Sequence, residues 1–218
     1  MSFRLIKDMV ANKLGLQDGP APRGPLGLAV GRAVELAEAP FILIDGAIPV
    51  SHPGGQCLVI GHGTVEVGGF GGHRFYLSAP GGALAGMLGV VEGQQCRYFV
   101  PFDEVYPASP AEWGFWLDDE DGYIGYPTFE ARGRLFQRLW SPGRTRVPPL
   151  SVVENVVRAD GARNRVEHQL MLYGRPVTTP GGELTEYLAV SAIRTEDGTA
   201  WVDLMIGIDL LPSAVTAY

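Results

Sequence analysis

The sequence predicts a mainly β protein, a β-rich α+β chain of antiparallel sheets arranged as a sandwich or as two related β halves. Three observations carry this. Runs of β-branched and aromatic residues recur between Gly and Pro breaks. Asp-Gly, the strongest short-range turn dipeptide, occurs at Asp18, Asp45, Asp121, Asp160 and Asp197. Two long apolar runs, Tyr187 to Arg194 and Ala200 to Ile208, flank Thr195-Glu196-Asp197-Gly198-Thr199, the signature of a hairpin.

The elements follow in order. Met1 to Leu14 predicts an amphipathic helix, with Phe3, Leu5, Ile6, Met9, Val10 and Leu14 on one half of the wheel. Residues 15–27, rich in Pro and Gly, read as a linker, and 28–218 as the β-rich domain, with a candidate sub-division near 141–150. Strand-like runs follow at Ala33 to Leu36, Phe41 to Ile44, Leu58 to Val67, His73 to Leu77, Gln95 to Phe102, Leu135 to Trp140, Val152 to Val157 and Arg165 to Tyr173. Phe75 to Val91 is uncharged, but its glycines and Pro80 make it strand, turn, strand rather than a membrane helix. One short helix interrupts the pattern. Ser109-Pro110-Ala111-Glu112 is a capping box with proline at the first helical position, so a helix should run to about Leu117.

Composition is that of an ordinary globular protein, 46% hydrophobic and 19% charged. The formal net charge of -7 argues against a general nucleic-acid binder, which needs a basic surface. Charge is unevenly spread. From Glu92 to Glu130 there are nine acids against the single Arg97, and from Arg132 to Arg165 eight arginines against Glu154 and Asp160. The two blocks are natural partners for each other, with Arg132, Arg134, Arg144 and Arg146 the candidate anion-binding set. Cys57 and Cys96 are too few for a disulfide framework, which places the protein in a reducing compartment. Arg4, Lys7 and Asp8 interrupt what would be a signal-peptide core, so the expectation is a cytoplasmic protein, with peripheral contact at the inner membrane face through Met1 to Leu14 as the alternative.

Familiar chemical signatures are missing. There is no GxxxxGK[ST], GxSxG or HExxH, and the glycine-rich stretch between Val67 and His73 lacks GxGxxG spacing. His52, Cys57, His62 and His73 are the only candidate metal set, and their spacing is wrong for zinc, so neither metal nor cofactor is expected. The acidic run fits no EF-hand either: with Gly122 as the turn glycine, Leu117 falls at the first ligand position and Thr128 where the glutamate belongs. Strand alternation turns His168 to the apolar side with Val166, Leu170 and Leu172, as a hydrogen-bonded core histidine, and Glu167 to the polar side.

The candidate binding residues lie at the short helix. Trp113, Trp116, Tyr123 and Tyr126 crowd around Asp118, Asp119, Glu120 and Asp121, four carboxylates at the negative end of the helix dipole. Such a place needs solvent, a cation or an arginine partner. With Arg146 to Leu150, Arg165 to Pro176, Glu186 to Ala192 and Gly207 to Leu210, this segment resembles the YjfK-like family of bacterial proteins, a domain of unknown function. The resemblance implies gene neighbours of phage-shock-type membrane-remodelling proteins, small membrane proteins and ligases similar to glutathionylspermidine synthetase. The resulting expectation is a non-enzymatic binding or adaptor component of an envelope-associated or membrane-stress module, with a protein partner. The alternatives are an enzyme on an anionic small molecule, with the acidic run or Glu167 as acid or base, and a peripheral membrane binder.

Overall fold

The computed structural model describes residues 23–67, 70–91 and 95–218. The expected N-terminal helix lies outside them. Twelve strands form one antiparallel system: β1 (Ala33–Leu36), β2 (Cys57–Val67), β3 (Phe70–Ser78), β4 (Leu84–Val91), β5 (Gln95–Val105), β6 (Thr128–Ala131), β7 (Arg134–Arg138), β8 (Leu150–Arg158), β9 (Arg163–Thr179), β10 (Gly182–Thr195), β11 (Ala200–Leu210) and β12 (Val215–Ala217). Among the described residues two α-helices accompany them, α1 (Ala39–Ile44) and α2 (Pro110–Leu117), with short 3-10 turns at Pro25–Gly27 and Pro212–Ala214.

Eight of the strands close on themselves. Following the pairing, β2 joins β3, β4 and β5 in succession, then β11, β10 and β9, and β8 pairs both β9 and β2. The expected sandwich or pair of β halves is therefore corrected to a closed antiparallel barrel with extra strands. Closure comes from β2 and β9, which change partners along their length. The start of β2 pairs with β1, and Gly61 to Val65 pair with β8. β9 pairs with β8 up to Leu170 and with β7 at Tyr173 and Gly174. β1 with β12, and β7 with β6, thus extend from opposite sides of the β8 seam.

Two apolar cores result. Inside the barrel lie Ile60, Tyr76, Met87, Phe99, Val156, Val166, Leu172, Tyr187, Ile193, Trp201 and Met205. The second, larger core includes outward-facing residues such as Leu77, Tyr98, Tyr173 and Ile206, together with residues of β1, α1, β6 and β7. This double burial explains why β11 reads as a nearly unbroken apolar run, since both of its faces are covered.

Local chemistry sets the remaining elements. Phe41 to Ile44, expected as a strand, is helical: Pro40 stands in the first helical turn and Phe41 and Ile44 are its buried residues. β6 and β12 are short strands that the sequence reading did not separate from loop. The Ser109 cap is present, its Oγ accepting from the Glu112 amide at 3.2 Å, while Glu112 accepts from the Ala108 amide at 2.9 Å. The expected hairpin joins β10 to β11, with the Thr195 amide bonded to the Thr199 carbonyl and Gly198 at φ +85°. Among the described residues no helix is long and apolar enough to cross a membrane.

Candidate functional site

Register fixes which side chains enter the barrel. Cross-strand partners share a face, so the chain of pairs Gly63 with Arg74, Arg74 with Gly89, and Gly89 with Arg97 places these residues on the inner wall. The interior has two levels. One is filled and polar at its centre, and the other is a cavity of about 410 Å³.

At the filled level, Glu154 is fully buried and its carboxylate is hydrogen-bonded to charged and polar side chains. Its Oε1 accepts from the Tyr76 hydroxyl at 2.6 Å, and its Oε2 accepts from Arg74 at 2.9 Å and from His168 Nε2 at 3.0 Å. Ser191 Oγ stands 3.1 Å from His168 Nδ1. With Nε2 donating to the carboxylate, Nδ1 accepts from Ser191. Burial alone would raise the Glu154 carboxyl, but the Arg74 charge and the His168 hydrogen bond hold it far below the usual carboxylate range. Burial pushes His168 down to about 4 despite the Glu154 hydrogen bond. Burial likewise lifts Asp203, on the adjoining strand, to about 6.

The series Ser191, His168, Glu154 has the connectivity of a nucleophile relay, but its chemistry is that of a structural clamp. Glu154 is shared with Arg74 and Tyr76, His168 is a weak base, and Ser191 is buried and absent from the cavity wall. His168 is thus the hydrogen-bonded core histidine that alternation predicted. Glu167 faces out and pairs with Arg165 at 2.5 Å.

The cavity occupies the other level. Val65, Met87, Phe99, Val152, Leu170, Leu172 and Ala189 supply apolar wall, and Trp140 packs at its side. Gly72 and Gly89 carry no side chain on this wall; a Cβ at Gly89 would meet only the Arg97 carbonyl, at 3.8 Å. Arg74 borders the cavity next to the clamp. Arg97 also lines it, and its Nε donates to Asp209 Oδ1 at 2.9 Å. The Arg97 guanidinium lies 4.3 Å from the centre of the Tyr187 ring, and the Tyr187 hydroxyl donates to Asp209 Oδ2 at 2.6 Å. An eight-stranded barrel is wide enough to hold one small ligand, and a mainly apolar wall with a few polar groups is the usual make-up of such sites.

Residues 9–216 match the family described as "Protein of unknown function (DUF2491)". The chain belongs to the DUF2491 family. No curated protein and no solved structure matches it. For this DUF2491 member, geometry therefore carries the functional argument.

The sequence-derived candidates lie elsewhere, at α2 and the loop after it. Trp113, Trp116 and Tyr123 are half-buried against the outer core, and Tyr123 packs 4.4 Å from Phe129. Tyr126 neighbours Tyr123 at 6.3 Å. Asp118 accepts from the amides of Glu120 at 2.8 Å and Asp121 at 3.1 Å, which hold its carboxyl below the usual range. Asp119, Glu120 and Asp121 are exposed. Arg146 meets this loop through its backbone, donating to the Gly122 carbonyl at 2.6 Å and the Asp119 carbonyl at 2.5 Å.

The other arginines of the set have separate surroundings. Arg132 pairs with Asp103 at 3.5 Å, Arg134 with the buried Glu186 at 2.8 Å, and Arg144 is exposed. The four residues weighed for metal also separate. His62 and His73 bond ring to ring at 2.9 Å, His52 bonds the Leu36 carbonyl at 2.7 Å, and Cys57 is buried in the outer core. Among the described residues no group of three or more His, Cys, Asp or Glu side chains is arranged to hold a metal ion.

Sequence reasoning missed Arg74, Tyr76, Glu154 and the cavity. One signal was available. Glu154 shares strand parity with Val152 and Val156, and a carboxylate on an apolar strand face requires a buried partner.

Proposed function

We propose that this protein is a non-enzymatic binding protein whose barrel receives a small, largely apolar molecule. The observation that carries the reading is the cavity of about 410 Å³, walled by aliphatic and aromatic side chains and bordered by two arginines. A folded interior ordinarily closes on itself at crystal-like density, so apolar space of this size inside a barrel is a feature to be filled by a ligand. The locked state of Glu154 and the burial of Ser191 support binding over catalysis.

The test is titration of the purified full chain with N-phenyl-naphthylamine, a neutral dye that brightens in apolar surroundings. Saturable brightening is expected, and it should disappear in Gly89→Leu and in Ala189→Leu, which fill the cavity from two strands. Dye binding that survives in both folded variants, or none in the wild type, would overturn the reading.

A second reading keeps the adaptor role in an envelope-associated module, cytoplasmic and working with a protein partner, as the resemblance to the YjfK-like family implies. It is favoured by Phe115 and Leu135, each more than half exposed and lining one shallow depression with Tyr123 and Tyr126. Crosslinked affinity purification from the host tests it. A specific membrane-associated partner should be recovered with the wild type and lost with Phe115→Ser; recovery of the same proteins with both would end this reading.

A further inference from the structure

We infer that the molecule held in the barrel is a single-chain amphiphile with an anionic head, a long-chain carboxylate, whose head rests on Arg97 and whose chain runs along Met87, Phe99 and Leu172. This rests on the binding reading above and adds the class of ligand. The argument begins with charge. The described residues that line the cavity include Arg74 and Arg97 and no carboxylate, so among them an entering group meets two cations and no anion. An apolar wall with positive groups at its border selects a molecule with an apolar body and a negative end.

The two arginines are not equivalent. Arg74 is committed to Glu154 at 2.9 Å and stands 3.4 Å from His168, so a second carboxylate placed on it would face the buried Glu154 charge in a region of low dielectric. Arg97 has a different arrangement. Its acidic partner, Asp209, is 58% exposed, so that charge is weakened by solvent. Asp209 takes only the Nε edge of the guanidinium, and the Tyr187 ring holds the plane face-on. Beyond Asp209 at Nε and the Tyr187 side chain, the terminal nitrogens of Arg97 meet no further acid among the described residues. They present a fork suited to a carboxylate. Tyr187 is itself held by its bond to Asp209, so the three residues form a positioned head-group seat and not a mobile surface charge.

The apolar residues continue the same line. Phe99 is two residues from Arg97 on β5 and shares its inner face, and Met87 pairs across from Phe99. Gly89 pairs directly across from Arg97, which leaves the space beside the head clear.

The experiment is displacement of N-phenyl-naphthylamine from the full chain by dodecanoate and by dodecanol, in the wild type, Arg97→Met and Arg97→Lys. Dodecanoate is expected to compete at least about tenfold better than dodecanol in the wild type, the scale of one charge-assisted hydrogen bond. The difference should vanish in Arg97→Met and return in part in Arg97→Lys, with the acid and the alcohol compared within each protein against that protein's own affinity for the dye. Equal competition by acid and alcohol in the wild type, or an acid preference that survives in Arg97→Met, would overturn the head-group assignment while leaving the cavity reading intact. Failure of the dye and of both chains to bind would overturn both.

Discussion

The Tyr76 hydroxyl donates to Glu154 Oε1 at 2.6 Å, and this bond joins β3 to β8 inside the barrel, where the two strands are not neighbours in the sheet. The Arg74 bond to the same carboxylate makes a second link between these strands. Both strands flank β2, whose Gly63 leaves the space that the carboxylate occupies. The clamp is therefore a cross-brace beneath the cavity, and the stability of the cavity wall depends on it.

Glu154→Gln should be strongly destabilising. The variant keeps the shape but leaves Arg74 buried without its counter-charge, and breaking a buried pair from one side costs about 3–5 kcal/mol. Arg74→Met should cost a similar amount by leaving the buried Glu154 charge without its cation. The double variant should cost clearly less than the sum, because neither charge is then stranded. Urea unfolding of the four proteins measures this, and additive losses would show that the pair does not act as a unit.

Acidification should weaken the fold through His168. Its folded pKa of about 4 lies below the unfolded value near 6.5. Between these values the unfolded chain binds the extra proton, so stability is highest above this window and falls as pH drops through it. The limiting loss is on the order of 3 kcal/mol. Asp203 acts with the opposite sign, since burial raises it to about 6 and its neutral form is favoured in the fold over part of the same range. The His168 contribution is therefore read as the difference between the wild type and His168→Gln. Urea midpoints from neutral pH to about pH 4.5 should fall less steeply in the variant, and parallel slopes would refute the assignment.

Two glycines that flank Arg74 on the inner wall, Gly63 on β2 and Gly89 on β4, should respond differently to the same change. A Cβ at Gly63 would sit 1.7 Å from Glu154 Oε1, inside the carboxylate, while at Gly89 the nearest atom is 3.8 Å away. Neither residue has a positive φ, so space alone decides. Gly63→Ala should displace the clamp and cost several kcal/mol, in the range of a disrupted buried network, and Gly89→Ala should be close to neutral. Thermal unfolding of the two variants makes the comparison, and equal effects would mean that the Glu154 position is not fixed by Gly63.

The parts legible in the sequence were those governed by neighbours along the chain. Ser109 and Glu112 announced α2, Asp197-Gly198 announced the β10 to β11 turn, and alternation around His168 gave its inward direction. Barrel closure depends on β5 meeting β11 and on β8 meeting β2, and a period of two identifies a buried face without saying which strand lies beside it. Phe41 to Ile44 is too short an apolar run for periodicity to separate strand from helix. The cavity was hidden for a related reason. Its wall residues come from β2, β3, β4, β5, β8, β9 and β10, and only register brings Arg97 opposite Gly89. The aromatic and acidic segment drew attention because its residues are contiguous, whereas the clamp unites Arg74, Tyr76, Glu154 and His168 from three strands.

Arg146 offers the last prediction. Four carboxylates follow the C-terminal end of α2, where the helix dipole disfavours them. Part of the compensation is internal: Tyr123 and Ile124 donate their amides to the carbonyls of Phe115 and Trp116, and Asp118 binds the amides of its own loop. The rest comes from Arg146, whose guanidinium holds the Gly122 and Asp119 carbonyls and brings a positive charge to the loop. Arg146→Met keeps the length of the side chain and removes both bonds. Amide exchange across residues 118–122 should accelerate by about tenfold or more, as expected from the loss of charged hydrogen bonds, while exchange in β9 to β11 stays unchanged. The Trp113 and Trp116 rings rest on the outer core, so they should remain buried in the variant and tryptophan emission should not shift. Acceleration confined to the loop would identify Arg146 as its tether, and unchanged exchange there would show that the internal bonds of Asp118 suffice.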